Sequence, residues 1–555
     1  MEFYATLLLA GLIGLLWFLS VKNNQKYRLP PGPNPLPLIG NLLQINKDEP
    51  FKSVLEFSKT YGPVMTFKLG WQRVVVLVGY DTVKEALVDQ ADDFTGRAPL
   101  PLLHKVTRGS GNRICHYYKI IAKYAWMPTF CLAGIGISNG SRWRQLRRFT
   151  LSTLRDFGMG RKGMEEWIQE ESKHLRARIR NFKGEVCLGR KLHLHFSSVV
   201  LPFLPPGEPF DPTTLLNRTM SNIVCCLVFG QRFRYEDKQF LKLLNVISSL
   251  VKFDSSPMGM MYNIFPWAVE QLPGQHHTIF AKITEIRDFV EMKIQEHRQT
   301  VDPSSPRDFI DCFLIRAHQE KDNPSTEFHN DNLFGTVMNL FIAGTETTSS
   351  TIRYALSVLI KHKNIQVCCI EKKKMQEEID SVIGRERCPN MEDRKSLPFS
   401  DAVIHEIQRF LDIVPFSLPH YALEDISFRG YTIPEVLYSV YILLHTVHGT
   451  SIVPLLHSVL KDEKQWAAPY SFNPQHFLDQ NGNFKKNPAF LPFSAGKRAC
   501  VGESLARMEL FIFIVSLLQD FTFTCPGGPD SINLVPEYSS FANLPRSHKI
   551  IATPR

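Results

Sequence analysis

One cysteine stands where its surroundings already constrain its chemistry. Cys500, in the stretch FSAGKRACVG (Phe493–Gly502), follows a Lys-Arg pair and lies between Gly496 and Gly502. A free cysteine is most often a small buried hydrophobe. Here the adjacent cations favour the thiolate, and a bound metal would enforce it. The glycines let the backbone turn and come close to a flat ligand. Phe493 offers a ring to pack on that ligand, and Arg498 a guanidinium for a carboxylate. The apolar run that follows, ESLARMELFIFIVSLLQ, reads as a helix. Its first N–H groups point back at the sulfur and stabilise an anion there.

Three other stretches carry reactive or ionisable groups. AGTETTSS, Ala343–Ser350, gathers hydroxyls around Glu346. Taken alone, such residues commonly bond back to the carbonyl four positions earlier and only bend a helix. HEIQR, His405–Arg409, opens like a zinc-protease motif but has Arg409 where the second histidine would stand, so zinc is rejected. Glu406 and Arg409 share a helix face and can pair; on a surface such a pair stabilises little. SRWRQLRR, Ser141–Arg148, sets Trp143 and Arg147 one helical turn apart among Arg142, Arg144 and Arg148. The plain reading of that stretch is a solvated basic face.

The pattern Phe493, Gly496, Arg498, Cys500 and Gly502 resembles the haem-binding loop of the cytochromes P-450. Nearly the whole chain is similar to their vertebrate microsomal family 2 group, from the N-terminal apolar run through PPGP to PEYSSFANLPR. The resemblance implies a mainly α fold with a small β-sheet region behind a single N-terminal transmembrane helix. It implies haem b bound through the Cys500 thiolate, with Phe493, Gly496, Arg498 and Gly502 around it. Thr347 and Glu346 would hold water and pass protons during oxygen activation, and Gly344 would leave room for the oxygen. Trp143, Arg147 and His420 would meet the haem propionates. Glu406 and Arg409 would be locked inside the fold to His476, in FNPQHF, supporting the cysteine loop. The remaining bases near Trp143 would form a docking surface for an acidic electron donor.

These groups need a scaffold to bring them together. Asn330-Asp331 are good N-cap residues, and the helical pattern they open runs to about Lys363 and carries Glu346 and Thr347. PVMTFKLGWQRVVVLVGY, Pro63–Tyr80, reads as a hairpin around Gly70-Trp71-Gln72. ISFRGYTIP offers short strands late in the chain. Phe3–Val21 is an uncharged apolar run of 19 residues, close to the length that crosses a bilayer core. Glu2 precedes it, and Lys22, Lys26 and Arg28 follow it. A cleaved signal would need the opposite flank. The expected anchor therefore spans residues 1–21, with a basic, proline-rich linker over 22–39 and a catalytic domain over 40–555. The positive flank places that domain on the cytosolic face of its membrane, and the resemblance implies that this membrane is the endoplasmic reticulum. In this orientation the sequons at Asn139 and Asn217 stay bare.

Composition narrows the function further. A net charge of +10 with 44% hydrophobic residues describes a basic globular chain. The bases are dispersed and no zinc-finger spacing occurs, so nucleic acid is not expected as a partner. Eleven cysteines form neither a disulfide framework nor a zinc site. GIGISNG, Gly134–Gly140, has the wrong spacing for a dinucleotide loop. Electrons are thus expected from a separate protein, which the resemblance implies is an NADPH-dependent cytochrome P-450 reductase, with a b-type cytochrome as an optional second donor. The expected activity is insertion of one atom of dioxygen into a hydrophobic small molecule. The alternatives are a peroxide-rearranging isomerase of the same fold and a haem-binding membrane protein without turnover. The second arises because residues 112–133, 186–206, 367–372 and 435–448 break the resemblance. They read as intron-derived or gene-model insertions, with lineage-specific loops as the alternative.

Overall fold

The computed structural model describes residues 27–47, 49–70, 72–107, 133–158, 162–181, 208–366, 375–435 and 449–555. The expected anchor lies outside the described residues, as do the expected insertions apart from Ala133 and Glu435. Among the described residues no helix is long and apolar enough to cross a membrane.

The protein is mainly helical with small sheets. Its longer helices are α1 (Pro50–Tyr61), α2 (Gly140–Asp156), α3 (Lys162–Asn181), α4 (Thr213–Phe229) and α5 (Lys238–Ser255). They continue with α6 (Gln275–Thr300), α7 (Phe309–Gln319), α8 (Asn330–Lys361), α9 (Pro398–Leu411) and α10 (Glu503–Asp520). The main sheet has strand order β1-β2-β7-β4-β3. Its strands are β1 (Val64–Leu69), β2 (Gln72–Leu77), β3 (Gly96–Arg97), β4 (His420–Tyr421) and β7 (Thr450–Pro454). The expected hairpin is β1–β2, with Leu69 opposite Gln72. ISFRGYTIP forms a second hairpin, β5 (Ile426–Phe428) and β6 (Tyr431–Ile433).

Helix α8 is the spine, and its length matches the sequence expectation. Its cap is His329 rather than Asn330 or Asp331; Asn332 instead donates to the carbonyl and carboxylate of Glu327. From Thr348 to Ile360 every residue of α8 is buried, so any partner of its hydroxyls and of Arg353 must come from inside the protein. Helix α10 is apolar on all sides and buried from Met508 to Asp520, which suits a helix enclosed by others. Helices α3, α4, α8, α9 and α10 share one hydrophobic core.

Candidate active site

The cysteine loop is held by its own backbone. The Cys500 N–H donates to the Phe493 carbonyl at 3.0 Å, and the Ala499 N–H to that of Gly496 at 3.1 Å. Gly496 has φ +69°, and a Cβ there would lie 1.7 Å from the Leu87 carbonyl oxygen. No side chain fits that position. A Cβ on Gly502 would meet Cys500 Sγ at an ordinary 3.9 Å; what Gly502 contributes is its N–H, aimed at the sulfur. Phe493 is half-buried, under the Arg507 guanidinium. Cys500 is exposed along one side, yet the protein crowding its sulfur pushes the thiol up, against the Gly502 N–H and Arg147. A ligated cation is the natural way to hold such a sulfur as thiolate.

Beside the loop, cations accumulate without a counter-ion. Arg498 donates to the carbonyls of Thr95 and Ser138, both at 2.7 Å, and lies 3.9 Å from the centre of the Trp143 ring. Arg147 donates to the Ala499 carbonyl at 2.6 Å. Arg97 reaches the carbonyls of Leu418 at 2.5 Å and Arg498 at 3.5 Å. Among the described residues, none of these guanidiniums has a carboxylate partner. Burial and mutual repulsion push Arg97 down to about 9 and Arg498 to about 8. His420 faces Arg97 across the β3–β4 pair. Its Nδ1 meets the Phe94 carbonyl at 2.5 Å, while burial and Arg97 lower its pKa well below the usual histidine range. Among the described residues, the buried atoms Trp143 Nε1, His420 Nε2 and Arg97 Nε have no partner.

Buried polar groups left this way are costly, and a cluster of them calls for an anion. Two carboxylates would satisfy it, and an anion at His420 Nε2 would restore the proton that burial removes. Haem fits this donor set: Cys500 can ligate iron, and the propionates match the cations beside it. Arg97 was not anticipated. Its only sequence signal is a lone arginine in FTGRAP, and its role comes from strand pairing with His420. Arg142, expected on the solvated basic face, instead pairs with Glu327 at 2.7 Å. Arg144 and Arg148 are exposed.

On α8, Ala343 and Thr347 are exposed within an otherwise enclosed helix, one turn apart on one face. The Thr347 hydroxyl donates to the Ala343 carbonyl at 2.7 Å, the local back-bond anticipated for such residues, and its lone pairs remain to accept. Gly344 faces elsewhere. A Cβ there would lie 2.8 Å from Val224 Cγ2, so the missing side chain lets α4 and α8 approach closely. Glu346 is buried and accepts from Asn217 and Ser248.

Behind the loop, Glu406 and Arg409 form a fully buried two-point ion pair, at 2.7 and 2.8 Å. His476 Nδ1 lies 3.2 Å from Glu406, and the Asn473 N–H donates to it at 2.7 Å. Arg409 also donates to the carbonyls of Leu460, Pro469 and Ser471. Burial opposes the Glu406 charge, but the bonds from Arg409 and His476 hold its carboxyl below the usual range.

The family model for cytochrome P450 matches residues 30–119 and 115–552. The chain is 44% identical to cytochrome P450 2G1 of Oryctolagus cuniculus over 97% of its length and 96% of that protein. It is 42% identical to cytochrome P450 2F3 of Capra hircus over 99% of its length and 98% of that protein. It is also 42% identical to cytochrome P450 2A13 of Homo sapiens over 97% of its length and 96% of that protein. With a glycine-bracketed cysteine beside a cation cluster shaped for two carboxylates, the chain belongs to the cytochrome P450 family and takes a thiolate-ligated haem b as its cofactor.

Proposed function

We propose that this protein is a membrane-anchored monooxygenase that inserts one atom of dioxygen into a hydrophobic small molecule, with electrons from NADPH delivered by a separate reductase. The observation that carries this reading is the Cys500 loop backed by Arg97, Arg147 and Arg498, three cations without a carboxylate partner among the described residues. Bound haem supplies the oxygen chemistry, and a thiolate ligand favours cleavage of the O–O bond. The chain's own residues do the rest. Gly502 N–H and Arg147 stabilise the sulfur anion, and Arg498, Arg97, Trp143 and His420 orient the cofactor. The exposed Ala343–Thr347 face presents one hydroxyl to the reacting space. Exposed Arg144 and Arg148 offer positive charge to an acidic donor.

The test is a reduced, carbon monoxide-treated spectrum followed by turnover with reductase. A red-shifted band with NADPH-dependent oxidation of an apolar substrate is expected. Peroxide rearrangement without NADPH would instead favour the isomerase, and haem without oxygen consumption the non-turning-over protein.

Thr347→Ala should keep NADPH consumption while hydrogen peroxide replaces product, because an acceptor for proton-carrying water is lost. Product per NADPH should fall by about tenfold or more, and an unchanged ratio would remove Thr347 from proton delivery.

Seating on the membrane is supported by apolar side chains that the sequence did not single out. Leu36, Leu38 and Leu43 are exposed at the end of the linker and just beyond it, and Met258, Met261, Trp267 and Leu272 beside α5, with Leu43 at 76% and Trp267 at 55%. The two groups adjoin, since Gly70 of the β1–β2 turn packs on Phe265. Protease added to intact microsomes should digest the catalytic domain; full protection would reverse the orientation. Glycans are no guide to this in the folded protein. The Asn217 amide is buried against Ser248 and Glu346, and that of Asn139 is bonded to Arg97 and Arg498.

A further inference from the structure

Glu346 precedes Thr347 in sequence, but neighbouring helical residues point about 100° apart, and its carboxyl leaves the Ala343–Thr347 face. It enters a closed polar triangle. Glu346 Oε2 accepts from Asn217 Nδ2 of α4 at 3.1 Å and from Ser248 Oγ of α5 at 3.0 Å. Asn217 Nδ2 also donates to Ser248 Oγ at 3.0 Å. Asn217 is only 6% exposed, and its Oδ1 has no partner among the described residues. An apolar residue would avoid that cost, so the amide is there for what its Nδ2 holds. Lys252 of α5 and Arg353 of α8 are the charged groups facing the carboxyl. Arg353 itself is tied to the Pro545 carbonyl at 3.1 Å. Burial pushes Glu346 up, while Ser248, Arg353, Lys252 and Asn217 oppose it.

Resting on the monooxygenase reading above, we infer that Asn217 and Ser248 are positioning residues for proton delivery: they clamp the Glu346 carboxyl between α4, α5 and α8 and set how tightly it holds its proton. The proton resides on Glu346, and water held by the Thr347 hydroxyl is its route onward. Because the two clamp residues sit on different helices, the seating of α5 against α8 sets how many hydrogen bonds the carboxyl receives. Both bonds stabilise the ionised form, so losing them makes the acid a poorer donor.

The test uses full-length holoprotein with Ser248→Ala, Asn217→Leu and the double variant. Ser249→Ala is the control, because its hydroxyl bonds to the Asn245 carbonyl on the exposed side of α5. The infrared carboxyl band that disappears in Glu346→Gln belongs to Glu346. In the double variant its titration midpoint should move up, with proton affinity rising about tenfold or more. Product per NADPH should fall severalfold, with its pH profile moving in the same direction. Should Asn217→Leu fail to fold, half-buried Ser248→Ala carries the test, and Ser248→Thr, which keeps the hydroxyl, should restore both readouts. An unmoved midpoint in a variant with an intact ferrous–carbon monoxide band overturns the clamp. A moved midpoint with unchanged product per NADPH overturns its part in proton delivery. A parent protein without that band overturns the haem-thiolate reading, and the inference falls with it.

Discussion

Replacing Cys500 by alanine is expected to abolish the red-shifted ferrous–carbon monoxide band while leaving the loop in place. The hydrogen bonds that hold the loop use only its backbone atoms: Cys500 N–H to Phe493, Ala499 N–H to Gly496, and the Ala499 carbonyl accepting from the Arg147 guanidinium. None needs the sulfur. The close approach of Gly496 to Leu87 also survives the substitution. Loss of the band should therefore come with near-parental thermal stability of the haem-free protein. A persistent band would assign the ligand to another cysteine. The described alternatives are poor ones: burial raises the Cys225 thiol strongly, Cys226 to about 11 and Cys312 to about 12. Cys525 is bonded to the Gly528 carbonyl, and the Cys388 sulfur is taken up by a bond from Arg176.

Arg409→Leu should have the second large effect, this time on the fold. Arg409 and Glu406 are both 0% exposed. Leucine would leave the Glu406 carboxylate with His476 and the Asn473 N–H, and would strip a donor from the buried carbonyls of Leu460 and Pro469 and from that of Ser471. Removing one partner of a buried pair costs about 3–5 kcal/mol, against a total stability of about 5–15 kcal/mol. Haem loading should fall severely, with earlier thermal unfolding. Arg409→Lys should rescue little, because one ammonium cannot serve the carboxylate and three carbonyls in a fixed fork. Since the Glu406 carboxyl is held below its ordinary value, the lock is fully present at neutral pH. It is lost only as pH falls through that depressed value. Parental haem retention in Arg409→Leu would show that the lock is dispensable.

The chemistry of the site was legible where it is local in the chain. Phe493 to Gly502 is one turn-rich segment, and its glycines, cations and cysteine act on neighbours a few residues away. The α8 helix and the β1–β2 hairpin were legible for the same reason, since helical and strand periods repeat within a short window. The Glu406–Arg409 pair shows the limit. Its spacing determined that the two can meet, but a surface pair and a buried lock share that spacing. Only the packing of His476, Asn473 and the carbonyls of Leu460, Pro469 and Ser471 around it decided between them.

By itself, then, the sequence determined the cysteine loop, the long helix with its hydroxyls, the mainly helical class and the resemblance to haem-thiolate proteins. Tertiary structure alone decided which way side chains face and what they meet across the chain. It set Arg97 against His420 through strands 323 residues apart and turned Gly344 toward Val224 rather than toward the Thr347 face. It buried the Asn217 sequon and delivered its amide to Glu346. The physical reason is that periodicity reports only whether a residue is buried. Its partners come from elements distant in sequence, and their positions follow from packing the helices together rather than from any local pattern.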